Sequence, residues 1–519
     1  MEESMMNLGT TLKCEFMKQR KKRNYLVLLA VLIFYAAYLI WTQQGQSFNY
    51  LHFWEATFYD LSLLNKLVLP TAIGVYASMI TDLEHKGHTF KLLETLTTRR
   101  KLLTAKFIYG SIYITAFVLL QLLVVFVTGA GECGVPSIHD ISRYTADTLL
   151  VSLILLLLHM ELSLYFVNQA VTIIVGVAGS FMGFFLLFMQ DHLLYLTNPW
   201  SLYAATGFIL MDWDPDTRVI RYYHGEVVPH AQIAALVWLS ILVLTAIFLN
   251  HHSEEEQLHI RSLRTSQKKS EGAERSITFS RLPVEFIKLR RSPIWVAFLA
   301  LPVISALLGT INYVANIDVL ESKWYSLWSQ HSLFLALLFM PLLIAAFCSF
   351  QWHLEHTGTN WNMVMTATTP VRLVIGKITT AVIFTVITVF WIVVLYILSG
   401  LIIHIDAPIP HELPEWIICG IIGGITCCCV QTLLSIVIRN SALPIGIAIM
   451  SSLSVFILAN KIKWLIYLDP HTLLSLGLRA NNPEMVINIG YFLLSCFLWS
   501  MMSIIISILY LRKTDITTH

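Results

Sequence analysis

Few side chains in this 519-residue chain are of a type and spacing that could do chemistry. His85 and His88, and later His353 and His356, stand three apart and could ligate a metal ion, yet neither pair has the spacing of a metalloenzyme helix. Cys427, Cys428 and Cys429 are adjacent inside an apolar run, where they pack as small residues, and the eight cysteines form no disulfide framework. Asp212-Trp213-Asp214-Pro215-Asp216 opens like a calcium loop. It then puts Thr217 and Tyr223 where that loop needs glycine and glutamate, so it reads as a solvated turn. Gly376-Lys377 lacks the upstream glycine and the following hydroxyl residue of a phosphate loop. Lys66, His159 and Glu161 fall inside apolar runs; Lys66 is expected to snorkel outward toward Asp60, and Glu161 to reach an interface. No catalytic constellation lies in a span, so the chain reads as no enzyme, with no metal and no cofactor of its own.

The elements that carry these residues are set by composition. With 56% hydrophobic and 13% charged residues the chain is too apolar for a soluble protein of its size. Twelve apolar runs are long enough to cross hydrocarbon as helices. Six lie near residues 25–41, 61–80, 107–128, 149–166, 170–189 and 233–249, and six near 294–313, 332–350, 378–403, 416–438, 442–459 and 487–511. The predicted fold is an all-α integral membrane protein of twelve transmembrane helices in two parallel six-helix repeats. Lys and Arg gather in the amino-terminal arm, two loops, the central linker and Arg512-Lys513, so both termini are predicted cytoplasmic. The first apolar run has no small-residue cleavage pattern and is not expected to be a cleaved signal. A net charge of +2 gives no reason to expect nucleic acid as a partner.

One loop occurs twice. Leu83-Glu84-His85, Gly87 and the threonines through Thr98 return as Leu354-Glu355-His356, Gly358 and the threonines through Thr369, at a constant offset of 271 residues (Glu84 to Glu355). Lys106 and Lys377 follow at the same offset. Phe90, Leu93 and Leu96, and Trp361, Val364 and Ala367, recur every third residue and predict one face of a short helix. Glu84 and Glu355, ahead of that face, suit the positive end of a helix. Such a helix could float among lipid headgroups, but its duplication favours docking onto a paired partner. The halves depart from each other inside the loop, where Lys86, His88, Lys91 and Glu94 become Thr357, Thr359, Asn362 and Met365.

Other features repeat as well. Residues 12–20 and 282–290 mix apolar and basic side chains before a span and predict amphipathic elbows. Pro70 and Pro341 put a kink in the second span of each half. Asn198-Pro199-Trp200-Ser201 and Asp469-Pro470-His471-Thr472 predict short helices dipping into the membrane between the fifth and sixth spans. The polar stretch 251–281 predicts a cytoplasmic linker between a first six-span unit, 1–250, and a second, 282–519.

In this order, and repeated twice, the elbow, the kinked second span, the Glu-x-x-Gly loop with its aromatic and the Pro-containing external segment resemble the permease family of type-two ATP-binding-cassette (ABC) exporters. The nearest flavour is the bacitracin and lantibiotic immunity permeases. The resemblance covers nearly all of the chain except the linker, and each half looks like one whole six-span subunit. It implies that the two loops are coupling helices contacting two copies of a cytoplasmic ABC ATPase through Glu84, Gly87, Phe90, Leu93 and Thr98 and through Glu355, Gly358, Trp361, Val364 and Thr369. It implies ATP and Mg on that partner, none in this chain, and a multi-pass place in the cell membrane. The cargo implied is a hydrophobic or peptide substrate, such as an antimicrobial peptide met in membrane lipid. Two other classes are open from the residues: a secondary carrier of six plus six spans, and a non-transporting peptide sensor.

Overall fold

Within hydrocarbon a chain must satisfy its own backbone hydrogen bonds, so the long apolar runs fold as helices. The computed structural model describes residues 6–20, 22, 24–44, 53–87, 93, 96–129, 135–165, 169–185, 192–213, 220–264, 294–317, 320, 323–356, 364, 368–438, 442–453, 465–480 and 487–513. The chain divides into two units, Met1–Arg281 and Leu282–His519.

Unit 1 runs α1 (Leu8–Gln19), α2 (Leu26–Gln44), α3 (Phe53–Leu67), α4 (Leu69–Gly87), α5 (Arg99–Gly129), α6 (Ile138–Tyr165) and α7 (Gln169–Phe185). It continues through the short α8 (His192–Thr197) and α9 (Leu202–Ala205) to a hairpin and to α10 (Ala231–Arg264). Unit 2 runs α11 (Ile294–Ala315), α12 (Trp324–Phe334), α13 (Met340–His356), α14 (Pro370–Ile402), α15 (Leu413–Val437), α16 (Ala442–Leu453), α17 (Pro470–Gly477) and α18 (Ile489–Lys513). Among the described residues nine helices are long and apolar enough to cross a membrane, or ten if the bent pair α3 and α4 is one span. The fifth place of each half holds a shorter apolar helix, Thr172–Phe184 and Leu443–Ser452. The linker begins as helix, because α10 continues through Arg264; residues 265–281 and the second elbow stretch, 282–290, lie outside the described residues.

The paired prolines distort their helices in two ways. Proline lacks an N–H and crowds the carbonyl four residues back. In unit 1 the helix breaks at Val68 and bends by 48° between α3 and α4. In unit 2 the chain stays helical but widens into a π-turn over Leu335–Phe339, between α12 and α13. Leu337, four residues before Pro341, has its carbonyl served by the Ser452 hydroxyl at 2.5 Å.

An all-α fold needs one correction. Ile209–Trp213 (β1) and Ile220–His224 (β2) form an antiparallel hairpin in which Asp212 faces Arg221. Both strands are rich in branched and aromatic side chains, which suit a half-exposed pleated surface. Asp212 and Trp213 therefore belong to a strand rather than a turn, while 214–219 lie outside the described residues. The first elbow stretch is helical, with a buried face that is polar: Thr11, Glu15 and Gln19 are covered, whereas Leu8, Phe16 and Met17 are exposed.

The Asx-Pro segments are the same device built twice. Asn198 and Asp469 each accept a hydrogen bond from the backbone N–H two residues on, at Trp200 (3.1 Å) and His471 (2.9 Å). Ser201 and Thr472 donate back to the carbonyls of Tyr195 and Ile466, both at 2.5 Å, and of Asn198 and Asp469. The following helix α17 lies against α15 at backbone distance. A Cβ on Gly477 would stand 2.5 Å from the Cys419 carbonyl oxygen, so a glycine is required there.

Candidate functional site

At the end of unit 1 that carries α1, two carboxylates and an ammonium are taken out of solvent together. Lys106, on the second turn of α5, is fully buried, and Glu15 of α1 and Glu84 of α4 are each 1% exposed. The Lys106 ammonium lies 2.7 Å from Glu84 and 2.8 Å from Glu15, and it donates to the carbonyl of Ile80 at 3.0 Å. Gln19 donates to Glu15 (2.8 Å) and to the same carbonyl (3.1 Å), and Asn24 donates to Gln19 (2.7 Å). Lys18, about a quarter exposed, stands 3.3 Å from Glu84. Two anions thus meet two cations. Burying charges costs several kcal/mol per ion unless they are paired and hydrogen-bonded; here each ion is paired, while Glu15 Oε2 and Glu84 Oε2 have no hydrogen-bond partner among the described residues.

Unit 2 repeats the core of the arrangement. Lys377 of α14, fully buried, lies 3.0 Å from Glu355 of α13 and donates to the carbonyl of Gln351 at 2.9 Å. Its ammonium also sits 5.1 Å from the centre of the Trp352 ring. Glu84 and Glu355, Lys106 and Lys377, and Ile80 and Gln351, whose carbonyls accept from the lysines, are all 271 residues apart. In each unit a lysine of one helix bonds a carbonyl in the penultimate turns of the preceding one, ahead of its end. The loop between those helices is stapled at its base.

The predicted loop residues take distinct places around the staple. Glu84 and Glu355 turn their carboxylates inward to the lysines. Gly87 ends α4. Leu93 accepts backbone hydrogen bonds from Leu96 (2.9 Å) and Thr97 (2.8 Å), and Val364 accepts the matching bond from Thr368 (2.9 Å). Thr98 and Thr369 cap the next helices, each hydroxyl accepting from an N–H three residues on at 3.4 Å. Val364 packs on a buried cluster with Trp352, Leu373 and Val374, whereas Leu96 is 46% exposed. Phe90, Gly358, Trp361 and Ala367 lie outside the described residues, as do His88, Lys91, Glu94, Thr357, Thr359, Asn362 and Met365. In unit 1 the start of α1 meets the loop directly, through the Met6 N–H on the Leu96 carbonyl (2.9 Å) and Thr11 beside Thr97 (3.5 Å).

One family matches this chain twice. The family described as ABC-2 family transporter protein covers residues 11–185 and 282–455, two stretches that begin 271 residues apart and together exceed half of the chain. The chain belongs to this family. No curated protein and no solved structure matches it. ABC-2 permeases are membrane transport subunits that normally work with an ABC ATPase.

The ionisable residues inside the spans of this ABC-2 permease are held by neighbours. His159 is buried and accepts the Trp200 indole N–H at 3.1 Å; in unit 2 Val430 stands at the place of His159, and His471, at the place of Trp200, bonds instead to the next residue, Gln431, at 2.8 Å. Glu161 accepts from Thr245 of α10 at 3.1 Å. Lys66 does not snorkel. It is 6% exposed, with its ammonium 5.8 Å from the centre of the Tyr59 ring. A bend of 48° just beyond it turns the chain away at Val68, so its four methylenes end inside the unit. Asp469, beside the dipping helix α17, is pushed up by burial, but hydrogen bonds with His471 and Ser451 outweigh this and hold its carboxyl below the ordinary value. Cys427, Cys428 and Cys429 are buried as packing residues, Cys427 against the Pro470 carbonyl and Cys428 beside Thr385.

The lysines Lys106 and Lys377 and the glutamate Glu15 carry the site more than the loop motif suggests. The signal for them was present as a repeated Lys eight residues after the last loop threonine. What the repeat could not reveal is that these cations point back into the unit.

Proposed function

We propose that this protein is the membrane-spanning permease of an ATP-driven exporter, with two six-span units fused in one chain. Its twelve spans comprise the ten apolar crossings described above and the two shorter fifth helices. Both termini are cytoplasmic, α1 and residues 282–290 are elbows at that face, and the chain lies in the cell membrane. The loops after α4 and α13 are coupling helices, each received by one copy of a cytoplasmic ABC ATPase that binds ATP and Mg. Glu84 and Glu355 serve from inside, fixing the loop base, while Gly87, Phe90, Leu93 and Thr98, and Gly358, Trp361, Val364 and Thr369, shape the docking segment. The cargo is amphipathic or hydrophobic, such as an antimicrobial peptide, and export confers self-immunity or resistance.

The observation that carries this reading is the staple repeated at 271 residues, Glu84–Lys106 and Glu355–Lys377, in a chain of the ABC-2 family. A loop anchored by buried charge to two membrane helices moves those helices when it is pushed. Purification in mild detergent is expected to recover a nucleotide-binding protein at two copies per chain, identified by its phosphate-loop sequence and by Mg-ATP hydrolysis. Reconstituted with ATP, the complex is expected to move labelled bacitracin or nisin. Recovery of the chain alone under conditions that keep other ABC complexes intact would overturn the proposal.

A further inference from the structure

Unit 1 contains a small polar cavity. The space is about 20 Å³, open on one side, and its wall includes Ser62, Asn65, Tyr144, Asp147, Tyr203 and Thr206. Asn65, Tyr144 and Gln121 form a closed ring in which Asn65 donates to Tyr144 (2.8 Å), Tyr144 to Gln121 (3.2 Å) and Gln121 to Asn65 (3.1 Å). Asp147, the acidic group of the wall, is engaged by Gln232 (3.1 and 3.2 Å) and lies 3.8 Å from Arg143.

The duplication supplies an internal control. At the 271-residue offset, Ser62, Asn65, Asp147, Tyr203 and Thr206 become Leu333, Ala336, Ile418, Leu474 and Gly477, and Gln121 becomes Ile392. Leu333, Ala336 and Leu474 stand in a unit that folds with the same helices. Two further wall positions stay polar in unit 2, where Tyr144 and Phe208 become Glu415 and Arg479, paired at 2.7 Å; at the apolar positions the fold does not need polar groups, and the polar side chains of unit 1 there call for another reason.

Lys66 is the second observation. It corresponds to Leu337, which is buried with apolar neighbours, yet in unit 1 the position carries an ammonium with only 6% of the residue exposed. Among the described residues no carboxylate lies within 4 Å of it, and its ammonium faces the Tyr59 ring at 5.8 Å. The ammonium comes within 3.9 Å of where a Cβ on Gly207 would stand, and Gly207 is part of the cavity wall. A buried cation without a counter-ion is costly. Tyr144 and Thr206 spend their protons on Gln121 and on the Leu202 carbonyl, and the Asn65 amide and the Ser62 hydroxyl are the wall groups that can serve anionic oxygen.

We propose that this cavity binds the anionic oxygens of a ligand, phosphate or carboxylate, with Lys66 as the counter-ion and the Asn65 amide and Ser62 hydroxyl as hydrogen-bonding walls. The space takes one or two oxygen atoms, so a larger ligand enters by its head group and extends through the open side. This inference stands on binding alone and does not depend on the ATPase reading.

The test is thermal unfolding of the purified full chain in a neutral maltoside detergent, titrated separately with sodium phosphate, sodium laurate, a phosphatidylglycerol and, as neutral control, a diacylglycerol. At a large excess over Kd an anionic ligand is expected to raise Tm by about 3 °C or more, and the control is not. Lys66→Leu installs the residue found in unit 2; it is expected to unfold at the same Tm or higher without ligand and to lose the rise, while Lys66→Arg keeps it. Asn65→Ala, again the unit 2 residue, reduces the rise independently. A response to phosphate alone identifies a free ion, and a response to laurate or phosphatidylglycerol identifies an amphiphile head group. No anion-specific rise in the unsubstituted protein, or an equal rise in Lys66→Leu, overturns the site.

Discussion

Lys106 and Lys377 hold equivalent places but neutralise different loads. Lys106 stands between Glu84 and Glu15, both buried, with Lys18 as a partly exposed second cation; Lys377 faces Glu355. Taking away one partner of a buried pair leaves an uncompensated charge and costs about 3–5 kcal/mol, whereas replacing both partners by apolar groups is often neutral. Lys106→Met is therefore expected to lower stability by about that amount and by more than Lys377→Met, because two carboxylates are left facing each other. Adding Glu355→Gln to Lys377→Met is expected to restore most of the lost stability and little of the transport. Thermal unfolding of the four proteins checks the order, and cargo flux checks the second half. A Lys377→Met, Glu355→Gln chain that transports normally would show that the staple only holds the fold. The residues of the staple were legible as a repeated Glu and a repeated Lys. Their pairing was not, since 22 residues of sequence separate Glu355 from Lys377 and only the helix packing brings them together. The sequence places Glu84 at the positive end of a loop helix, and its carboxylate is found paired with Lys106. A lone glutamate after an apolar run looks like a boundary, and only a lysine returning from the next helix turns it inward.

At the scale of elements, the long helices were legible because hydrocarbon admits little else, and the runs of apolar residues agree with helix positions to within a few residues at most ends. The exceptions are physical. The hairpin mixes buried Ile209 with exposed Met211 and Tyr223 beside Asp212 and Arg221, a pattern too short and too mixed for a clear period. The π-turn before Pro341 and the bend before Pro70 arise from the same proline, and sequence does not reveal which relief the neighbours permit; in unit 2, Ser452 is there to receive the Leu337 carbonyl. The Asx-Pro caps differ in one useful way. Asp469 titrates and Asn198 does not. Because the Asp469 carboxyl is held below its ordinary value, its contribution to the cap is complete above about pH 4, the unfolded carboxyl value, and is lost as pH falls through the lower folded value. The hydrogen-exchange protection factors of Pro470–Gly477, corrected for the intrinsic pH dependence of amide exchange, are expected to fall on acidification to pH 3, while those of Pro199–Ala205 change less. Asp469→Asn is expected to remove that difference; an unchanged acid response in the variant would place its origin elsewhere.

For the whole molecule, the duplication bears on how the two units depend on one another. Each has its own buried clusters. In unit 2 the residues Trp352, Leu373, Val374 and Cys429 pack together, and Cys419, Leu473 and Phe492 form another group. In unit 1 Tyr195, Ala204 and Val228 close the dipping segment. The staples likewise close within a unit: Lys106 is satisfied by Glu15, Glu84 and Ile80, and Lys377 by Glu355 and Gln351. A domain with its own core can in principle fold alone, and boundaries fall in polar segments crossed by few contacts. The stretch 265–281, with Lys268, Lys269, Ser270 and Glu271, has the composition of such a boundary. Two chains comprising residues 1–281 and 282–519, produced in the same cell, are therefore expected to insert separately and to reassemble into a transport-competent pair, whereas either alone inserts without moving cargo. The asymmetry between the units sharpens the expectation. A pair of two first units would carry two polar cavities and two Lys66 side chains, and a pair of two second units would carry Leu337 at both places, so only the mixed pair reproduces the natural combination. Copurification of differently tagged halves measures assembly, and flux in vesicles measures function. Halves that insert but never associate would mean that the covalent linker, rather than the surfaces of the folded units, holds the permease together.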